Sequence, residues 1–191
     1  MEPATAKDKQ DCIRIIASTF GANPSINVVI GQGGNKQKKL SRLAEYAFAK
    51  AQGKKGAYLS SNRKGTALVF RSDDTRFNLK EQYYEIRFAL SLPVKNIFST
   101  LQRERFLKEH RYGKPHLYFW FLGVEKGGGK AVYELKEIVF EKALQEKLPI
   151  VLETSVWRNV LAYQRYGFEI YYEWEDKENG ITVWFMKKDF Y

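Results

Sequence analysis

Two apolar runs separated by a helical segment constrain the fold of this chain more than any other feature. The first run, Leu117–Val124, and the second, Ile150–Leu152, have the length and composition of buried strands. Between them lie a glycine-rich turn, Gly127–Lys130, and a periodic apolar segment over residues 131–147. Strand, turn, helix and strand in this order predict a crossover unit whose two parallel strands are buried on both faces.

The glycine-rich turn predicts a site for a phosphate group. Gly127–Lys130 leads directly into the predicted helix. A helix N-terminus offers unpaired backbone N–H groups and the positive end of the helix dipole. Three consecutive glycines let the backbone wrap closely around a ligand, although ordering so flexible a loop costs entropy.

Three motifs follow one another through this stretch at a characteristic spacing. The first strand ends in Leu122-Gly123-Val124, and the second ends in Leu152-Glu153-Thr154-Ser155. The next segment reads Asn159-x-x-x-Tyr163-x-x-x-Gly167-Phe168. This succession resembles the GNAT superfamily of acyl-CoA N-acyltransferases. The similarity continues through residues 181–187, reaches back to the first helix, and is weakest over residues 28–110.

The resemblance implies an α/β fold with a mixed central sheet flanked by helices. Residues 1–191 would form a single domain of this kind, with residues 79–110 as a helical insertion. The central strand would splay away from its neighbour near Leu122–Val124. The family uses this gap to hold acetyl-CoA, from which it transfers the acetyl group to an amine.

The resemblance also indicates which residues hold the cofactor. The backbone of Leu122, Gly123 and Val124 would pair with the pantetheine arm and polarise the thioester carbonyl; otherwise this is a plain core strand. Asn159 would bond the pantetheine or the strand backbone, or would only cap its helix. The residues expected at the pyrophosphate are Gly127, Gly128, Gly129, Lys130 and Ala131.

Three side chains are candidates for proton transfer. By resemblance, Tyr163 would donate a proton to the departing thiolate; the alternative is an aromatic ring that only packs on its helix. Glu153, at a strand end, is a candidate general base whose pKa burial would raise, or else a structural hydrogen-bond acceptor. His116 is a further candidate base or a partly exposed turn residue.

The glycine-rich loop departs from the family pattern. The family usually has a Gln or Arg ahead of the glycines and a Pro after the preceding strand, and residues 124–132 contain none of these. This departure favours the alternative function, a non-catalytic GNAT-fold module that binds acyl-CoA or works through contacts. Asn159 and Tyr163 favour the enzyme, with direct attack by the amine in a ternary complex. The lone Cys12 is far in sequence from the splay, which argues against an acyl-enzyme.

Charge and composition limit the partners and the compartment. The net charge is +10, which attracts nucleic acid, anionic membranes or anionic small molecules. The phosphates of coenzyme A account for this charge, so nucleic-acid binding through residues 37–52 and the hairpin tip is the weaker interpretation. A single Cys excludes an internal disulfide, and no apolar run approaches the roughly 20 residues of a membrane span. We expect a cytoplasmic monomer or homodimer with no metal site and no membrane contact.

The first third of the chain is predicted as helices followed by a hairpin. Asp8 or Asp11 is expected to cap a first helix, and residues 37–52 carry a second clear helical pattern. Segments 56–61 and 66–71 flank the turn Asn62–Gly65, which predicts a hairpin with a basic tip. The inward residues of the first helix are expected to be Ile13, Ile16, Ala17 and Phe20.

The insertion is predicted as two helices, Leu79–Leu90 and Val94–His110, separated by Pro93. In the first helix the predicted inward residues are Tyr83, Ile86 and Leu90. In the second helix one broad face is expected to carry Ile97, Phe98, Leu101, Arg105 and Phe106.

Overall fold

The computed structural model of the protein describes residues 2–190 and, for Val94 and Lys95, the backbone alone. After a 3-10 turn at Ala6–Asp8, the helices are α1 (Lys9–Thr19), α2 (Pro24–Ile30), α3 (Lys36–Gly53), α4 (Leu79–Ala89), α5 (Val94–His110), α6 (Gly129–Glu146) and α7 (Trp157–Arg165). The strands are β1 (Ala57–Leu59), β2 (Gly65–Arg71), β3 (Leu117–Val124), β4 (Ile150–Thr154), β5 (Glu169–Asp176) and β6 (Ile181–Lys188).

The strands of the described residues form one mixed sheet in the order β1-β2-β3-β4-β6-β5. β3 and β4 run parallel and are connected through α6, whereas the other neighbouring pairs are antiparallel. This is the crossover unit that the two apolar runs predict. The expected α/β class, with a mixed sheet flanked by helices, is therefore confirmed.

Helices cover the sheet on both faces and bury its middle strands. On one face, Ile16 of α1 and Phe48 of α3 belong to a core that includes Leu68 of β2. On the other face, Leu135 of α6 and Val160 of α7 pack in a second core. Burial on both sides explains why β3 and β4 are almost continuously apolar in sequence.

The hairpin and the helical pattern over residues 37–52 are confirmed by β1, β2 and α3. Ahead of them, the short apolar segment Pro24–Ile30 forms α2. Asn23 caps this helix, because its side-chain oxygen accepts a hydrogen bond from the Ile26 N–H at 3.1 Å. Pro24 follows in the first turn, where its missing N–H costs nothing.

The predicted cap of α1 is wrong in its hydrogen bonding. Asp8 stands at the N-cap position of α1 but makes no side-chain cap to that helix. Its carboxylate instead accepts hydrogen bonds from the Thr5 N–H and hydroxyl, both at 2.9 Å. Asp11 is engaged by Arg14 and Arg63. A capping box centred on Thr5 forms one turn earlier and satisfies the start of the helical segment.

The predicted inward face of α4 is wrong. The three residues expected to point inward are all exposed: Tyr83, Ile86 and Leu90. The opposite side of α4 packs on α3. There the Glu81 carboxylate lies 3.4 Å from the Lys50 ammonium, and Phe88 stacks on Tyr46 with ring centroids 6.4 Å apart.

The predicted face of α5 is correct only in part. Phe98, Leu101 and Arg105 are exposed, whereas Ile97 and Phe106 pack against other residues. The inward side carries two residues that the periodic pattern did not select, Leu107 and Arg103. Leu107 is buried, and the Arg103 guanidinium lies 3.3 Å from the equally inaccessible Asp176 carboxylate. A buried ion pair thus occupies a position that an apolar pattern cannot indicate.

Across residues 2–190, no helix combines the length and the apolarity that crossing a membrane requires.

Candidate active site

The parallel strands β3 and β4 are paired only at their start. Leu117 pairs with Ile150 and Tyr118 with Val151, and no further pairing joins the two strands. β3 nevertheless continues to Val124. The prediction of a splay near Leu122–Val124 is therefore confirmed, although the separation begins earlier, at Phe119. The facing edge of β3 offers backbone N–H and C=O groups without a strand partner, and such groups need a hydrogen-bonding partner when water is excluded.

A bulge in β3 coincides with the start of the splay. On the β2 side, Leu68 pairs with Phe121 and Val69 with Phe119, which leaves Trp120 as the extra residue. A bulge bends the strand that carries it and redirects side chains. Trp120 and Phe121 both pack in the core on the side of α1 and α3, so the bulge lies where β3 and β4 separate.

Gly123 allows α1 to lie directly against the splayed part of β3. A Cβ at this position would be 2.5 Å from Thr19 Oγ1 and 3.3 Å from a methyl carbon of Ile15. Any larger residue would push α1 away. Leu122 packs against the opposite core, and Val124 pairs with Gly65 of β2. All three residues predicted to line the pantetheine arm lie in the splayed segment.

The glycine-rich loop closes a tight turn onto the N-terminus of α6. Gly127 has φ +80°, a conformation that a residue with a Cβ rarely adopts. The Gly128 N–H donates to the Glu125 carbonyl at 2.9 Å, and the Ala131 N–H donates to the Gly128 carbonyl at 2.8 Å. A Cβ at Gly128 would be 2.8 Å from Lys64 Cβ. The loop is therefore tight at Gly128, even though its sequence suggests flexibility.

Four backbone N–H groups of this loop have no protein acceptor. The hydrogen bonds among residues 2–190 include none donated by the backbone of Lys126, Gly127, Gly129 or Lys130. Gly129 and Lys130 open α6, where the helix dipole places partial positive charge. The loop thus presents the unpaired donors that the sequence predicts, next to the end of the splayed strand.

The loop is held in place by Glu125. Its N–H donates to the Lys64 carbonyl at 2.8 Å, and its carboxylate accepts a hydrogen bond from the Ser18 hydroxyl at 3.0 Å. Arg14 of α1 also pairs with this carboxylate. The hairpin tip, α1 and the loop are thereby joined at one point.

The basic hairpin tip contributes a positive charge to the loop. A Cβ added at Gly127 would lie 3.6 Å from the Lys64 Nζ, so this ammonium is beside the glycines. Among the described residues no carboxylate pairs with Lys64, Lys126 or Lys130. The Lys64 ammonium therefore lies beside the glycines, and the loop itself contributes two more cationic residues, Lys126 and Lys130. Such a concentration of positive charge attracts a polyanion such as a pyrophosphate.

The two motif residues on α7 differ in their surroundings. Asn159 is exposed, and its side chain does not cap α7, whose N-cap residue is Val156. Tyr163 packs in the core beside Phe168, with ring centroids 5.5 Å apart. Desolvation by burial raises the pKa of Tyr163 to about 12. The phenol therefore keeps its proton throughout the neutral range.

Glu153 takes part in a buried polar cluster. Its carboxylate accepts hydrogen bonds from the Arg111 guanidinium at 2.5 and 3.1 Å and from the Tyr118 hydroxyl at 3.2 Å. The Arg111 guanidinium also lies over the Tyr118 ring, 4.1 Å from its centroid. Burial opposes the charge of Arg111, but Tyr118 and Glu153 outweigh burial and raise its pKa. The base role of Glu153 stays a prediction, and it would require this cluster to open.

His116 is buried, unlike the exposed turn residue considered from sequence. Its Nδ1 lies 2.8 Å from the Lys114 carbonyl, to which it donates, and its Nε2 is buried without a partner. Burial lowers the pKa of this imidazole. His116 precedes the paired end of β3, and eight residues of strand, roughly 26 Å, separate it from Val124. It is therefore badly placed to accept a proton beside Leu122–Val124, where the thioester carbonyl is predicted to lie.

Cys12 is close to the splayed strand in space, although it is distant in sequence. It lies on α1, whose residues Ile15 and Thr19 lie directly against Gly123. The side chain is fully buried, and this burial raises the pKa of the thiol to about 11. A buried neutral thiol is a poor nucleophile.

Comparison with known proteins shows the fold clearly. No protein-family model matches the chain, and no curated protein matches it. Solved structures do match over nearly the whole length. A histone acetyltransferase HPA2-related acetyltransferase from Corynebacterium glutamicum is 19% identical, with a TM-score of 0.66, and the match covers 99% of this chain and 97% of that one. Arylalkylamine N-acetyltransferase 2 from Aedes aegypti is 18% identical, with a TM-score of 0.60 and coverages of 98% and 97%.

This chain has the GNAT fold, which it shares with these acetyltransferases. The C-terminal condensation domain of Ebony, in complex with beta-alanyl-dopamine, matches it too, at 12% identity, a TM-score of 0.67 and coverages of 98% and 97%. Identities this low establish architecture and leave the activity to be argued from the site.

Within this GNAT fold, sequence reasoning missed the residues that build the loop's surroundings. Lys64 and Glu125 are distant in sequence from the glycines or carry no motif, yet they flank and anchor the loop. Likewise, nothing in the sequence indicated that Arg111 and Tyr118 hydrogen-bond to Glu153. The basic hairpin tip was the one available signal, and the predicted hairpin alone did not indicate that its tip reaches the loop.

Proposed function

We propose that this protein is an N-acetyltransferase that moves the acetyl group of acetyl-CoA to an amine. The observation that carries the proposal is the continuity between two features: the unpaired edge of β3 from Phe119 to Val124, and the unpaired N–H groups at the start of α6. A linear molecule with amide groups at one end and a pyrophosphate at the other matches this arrangement. The shared fold with acetyltransferases supports the same conclusion.

We propose that the loop binds the pyrophosphate through backbone donors. The N–H groups of Gly129 and Lys130 would donate to phosphate oxygens, and the ammonium groups of Lys64 and Lys130 would add charge. Hydrogen bonds to charged groups are stronger than neutral ones. The missing Gln or Arg of the usual family loop is offset by these lysines.

The pantetheine arm would extend the sheet at the splay. Its amides would pair with the free edge of β3 as an added strand does, over Phe119–Val124. A backbone N–H of Leu122, Gly123 or Val124 would then donate to the thioester oxygen and stabilise the oxyanion that forms on attack. Asn159, whose side chain caps nothing, would donate to the pantetheine or to the strand.

The transfer would proceed by direct attack in a ternary complex. The amine loses a proton, its nitrogen bonds to the acetyl carbon, and the carbon–sulfur bond breaks to release a thiolate. Tyr163 would hydrogen-bond the departing sulfur and assist its protonation. A neutral phenol is available for this at every pH below its pKa of about 12. An acyl-enzyme on Cys12 is disfavoured, since its thiol is buried and its pKa is raised.

Glu153 is retained as the proposed general base, with Arg111 as the group that it must leave in order to act. Glu153 is at the end of β4, on the strand that borders the splay. If the Arg111 pair persists in the complex, water would have to remove the amine proton. Glu153→Gln separates the two possibilities, because only a base role predicts a strong loss of turnover with intact acetyl-CoA affinity.

The proposal is tested by incubating the protein with acetyl-CoA and a broad panel of amines. The panel should include arylalkylamines, polyamines and peptide N-termini, with free thiol detected optically and acetylated product identified by mass. We expect thiol release that depends on one class of amine, with a matching mass increase. Tight acetyl-CoA binding with no product from any amine would support the non-catalytic acyl-CoA-binding alternative instead.

A further inference from the structure

An apolar stripe runs along the solvent side of α4. Leu79, Tyr83, Ile86 and Leu90 are 75%, 56%, 59% and 80% exposed. Their spacing of four, three and four residues is that of a coiled-coil seam, so they share one face of the helix. The opposite face is already used, because Glu81 and Phe88 are buried in the fold. We call these four residues the α4 stripe.

The α4 stripe is part of a concentration of exposed apolar side chains. Of the eleven large apolar side chains that are exposed among the described residues, seven fall between Phe77 and Leu101. Single exposed apolar residues are ordinary, but a contiguous exposed patch marks an interaction site. α4 packs mainly on α3, so a partner on the stripe would not need to enter the splay.

A cationic cleft adjoins the stripe. The Arg87 guanidinium lies over the Tyr83 ring, 5.3 Å from its centroid, and the same residue lines an open cleft of about 430 Å³ together with Lys38 and Arg42. Glu45 is the carboxylate in this lining, and it lies 3.1 Å from Arg42 and 3.7 Å from Arg87. Three cations against one carboxylate leave the cleft positive.

We propose that the α4 stripe and this cleft bind an amphipathic helix of a partner protein whose apolar seam is flanked by acidic residues. The seam spacing suits a helix, and the cleft suits carboxylates beside that seam. A second copy of this chain fits poorly. Paired α4 stripes would bring Lys80 and Arg87, which flank the seam, toward the same basic residues of the other copy.

The test uses synthetic helical peptides of about three heptads with Leu at both seam positions. One peptide carries Glu at the flanking positions and the other carries Lys, and each is labelled for fluorescence anisotropy at about 0.1 M salt. We expect the acidic peptide to bind at least tenfold more tightly than the basic one. Ile86→Asp should weaken acidic-peptide binding by at least tenfold. Arg87→Glu should remove the preference of the protein for the acidic peptide, because it leaves two cations against two carboxylates in the cleft.

The matched control is Leu144→Asp, which alters an equally exposed apolar residue on α6. It should leave peptide binding unchanged, and thermal melts should show all variants folded. Equal binding of both peptides, no binding of either, or an equal loss in the control would overturn the proposal. Dimerisation seen by ultracentrifugation and lost in Ile86→Asp would assign the stripe to a second copy and overturn it. Binding to phosphatidylserine vesicles that is lost in the same variant would assign the stripe to a membrane surface, and this result would also overturn the proposal.

Discussion

Replacing Gly128 by Val should strongly lower the affinity for coenzyme A while leaving the fold intact. A Cβ at this position would lie 2.8 Å from Lys64 Cβ, 3.0 Å from Val124 Cγ1 and 3.1 Å from the Glu125 carbonyl oxygen. The first and third of these atoms belong to the segments that hold the loop. The added side chain can be accommodated only if the loop moves, and the unpaired N–H groups of Gly129 and Lys130 would move with it.

The size of the loss follows from the number of hydrogen bonds disturbed. One hydrogen bond to a charged group contributes about 1.5–3 kcal/mol. Losing one of the two proposed bonds to the pyrophosphate therefore predicts about a 10- to 150-fold weaker affinity. Isothermal titration of coenzyme A into both proteins measures this directly. Gly113→Val is the matched control, because a Cβ there would meet no atom within 4 Å and the residue lies on the connection between α5 and β3, and it should bind much as wild type does.

Equal affinity of the Gly128→Val variant and wild type, with both folded, would refute the assignment of the loop. An equally large loss of affinity for pantetheine would also contradict it, since pantetheine has no pyrophosphate. The expected pattern is a loss for coenzyme A alone.

Three further outcomes follow from the same structure. Tyr163→Phe removes only the hydroxyl, so acetyl-CoA affinity should hold while kcat falls about 10²-fold or more, the usual scale of a positioned proton donor. Unchanged kcat in steady-state assays would move the acid role to another group. Lys64→Ala should weaken coenzyme A binding several-fold and make the affinity less dependent on salt concentration. Replacing Lys177, an exposed lysine on the β5–β6 turn, by Ala should change neither. The same salt dependence of affinity in wild type and both variants would contradict the placement of Lys64. Burial lowers the pKa of His116 in the folded state below the usual 6.5, so the unfolded state binds a proton more readily than the folded state does. The stability that is present above about pH 6.5 is therefore lost as pH falls through the folded-state pKa. Urea titrations between pH 7.5 and 5.5 should show this loss in wild type and in His110→Asn but less of it in His116→Leu; the same slope in all three would exclude His116 as its source.

The central crossover unit could be predicted because its signals are local and agree with one another. β3 is almost continuously apolar and β4 is apolar over Ile150–Leu152, since both faces of these strands are covered, and the glycines lie where α6 begins. The family resemblance at Leu122-Gly123-Val124 indicated the splay. Its earlier start, at Phe119, coincides with the Trp120 bulge, which is a matter of register between β2 and β3 and leaves no pattern in the sequence.

The helix α4 shows why periodicity alone can mislead. Its clearest apolar stripe, Leu79 to Leu90, faces solvent, and its buried face includes a charged residue, Glu81. Burial of Glu81 is possible because Lys50, more than 30 residues earlier in the chain, supplies the opposite charge. A pattern within one helix records which residues share a face, but the choice of the inward face depends on what the neighbouring helix offers.

The surroundings of the candidate site were hidden for the same reason. Lys64 reaches the glycines only because the hairpin folds over α6, and Arg111 meets Glu153 across 42 positions of sequence. Motif residues such as Asn159 and Tyr163 could be located from spacing. The charges around them come from long-range contacts that no short motif contains.

The most direct test of the account is an experimental structure of the protein with bound coenzyme A. The account predicts that the pantetheine amides pair with the β3 backbone between Phe119 and Val124, and that the pyrophosphate accepts hydrogen bonds from the N–H groups of Gly129 and Lys130. Lys64 should lie against the phosphates. Coenzyme A bound elsewhere, or a saturated crystal in which the splay is closed and the loop is empty, would contradict it.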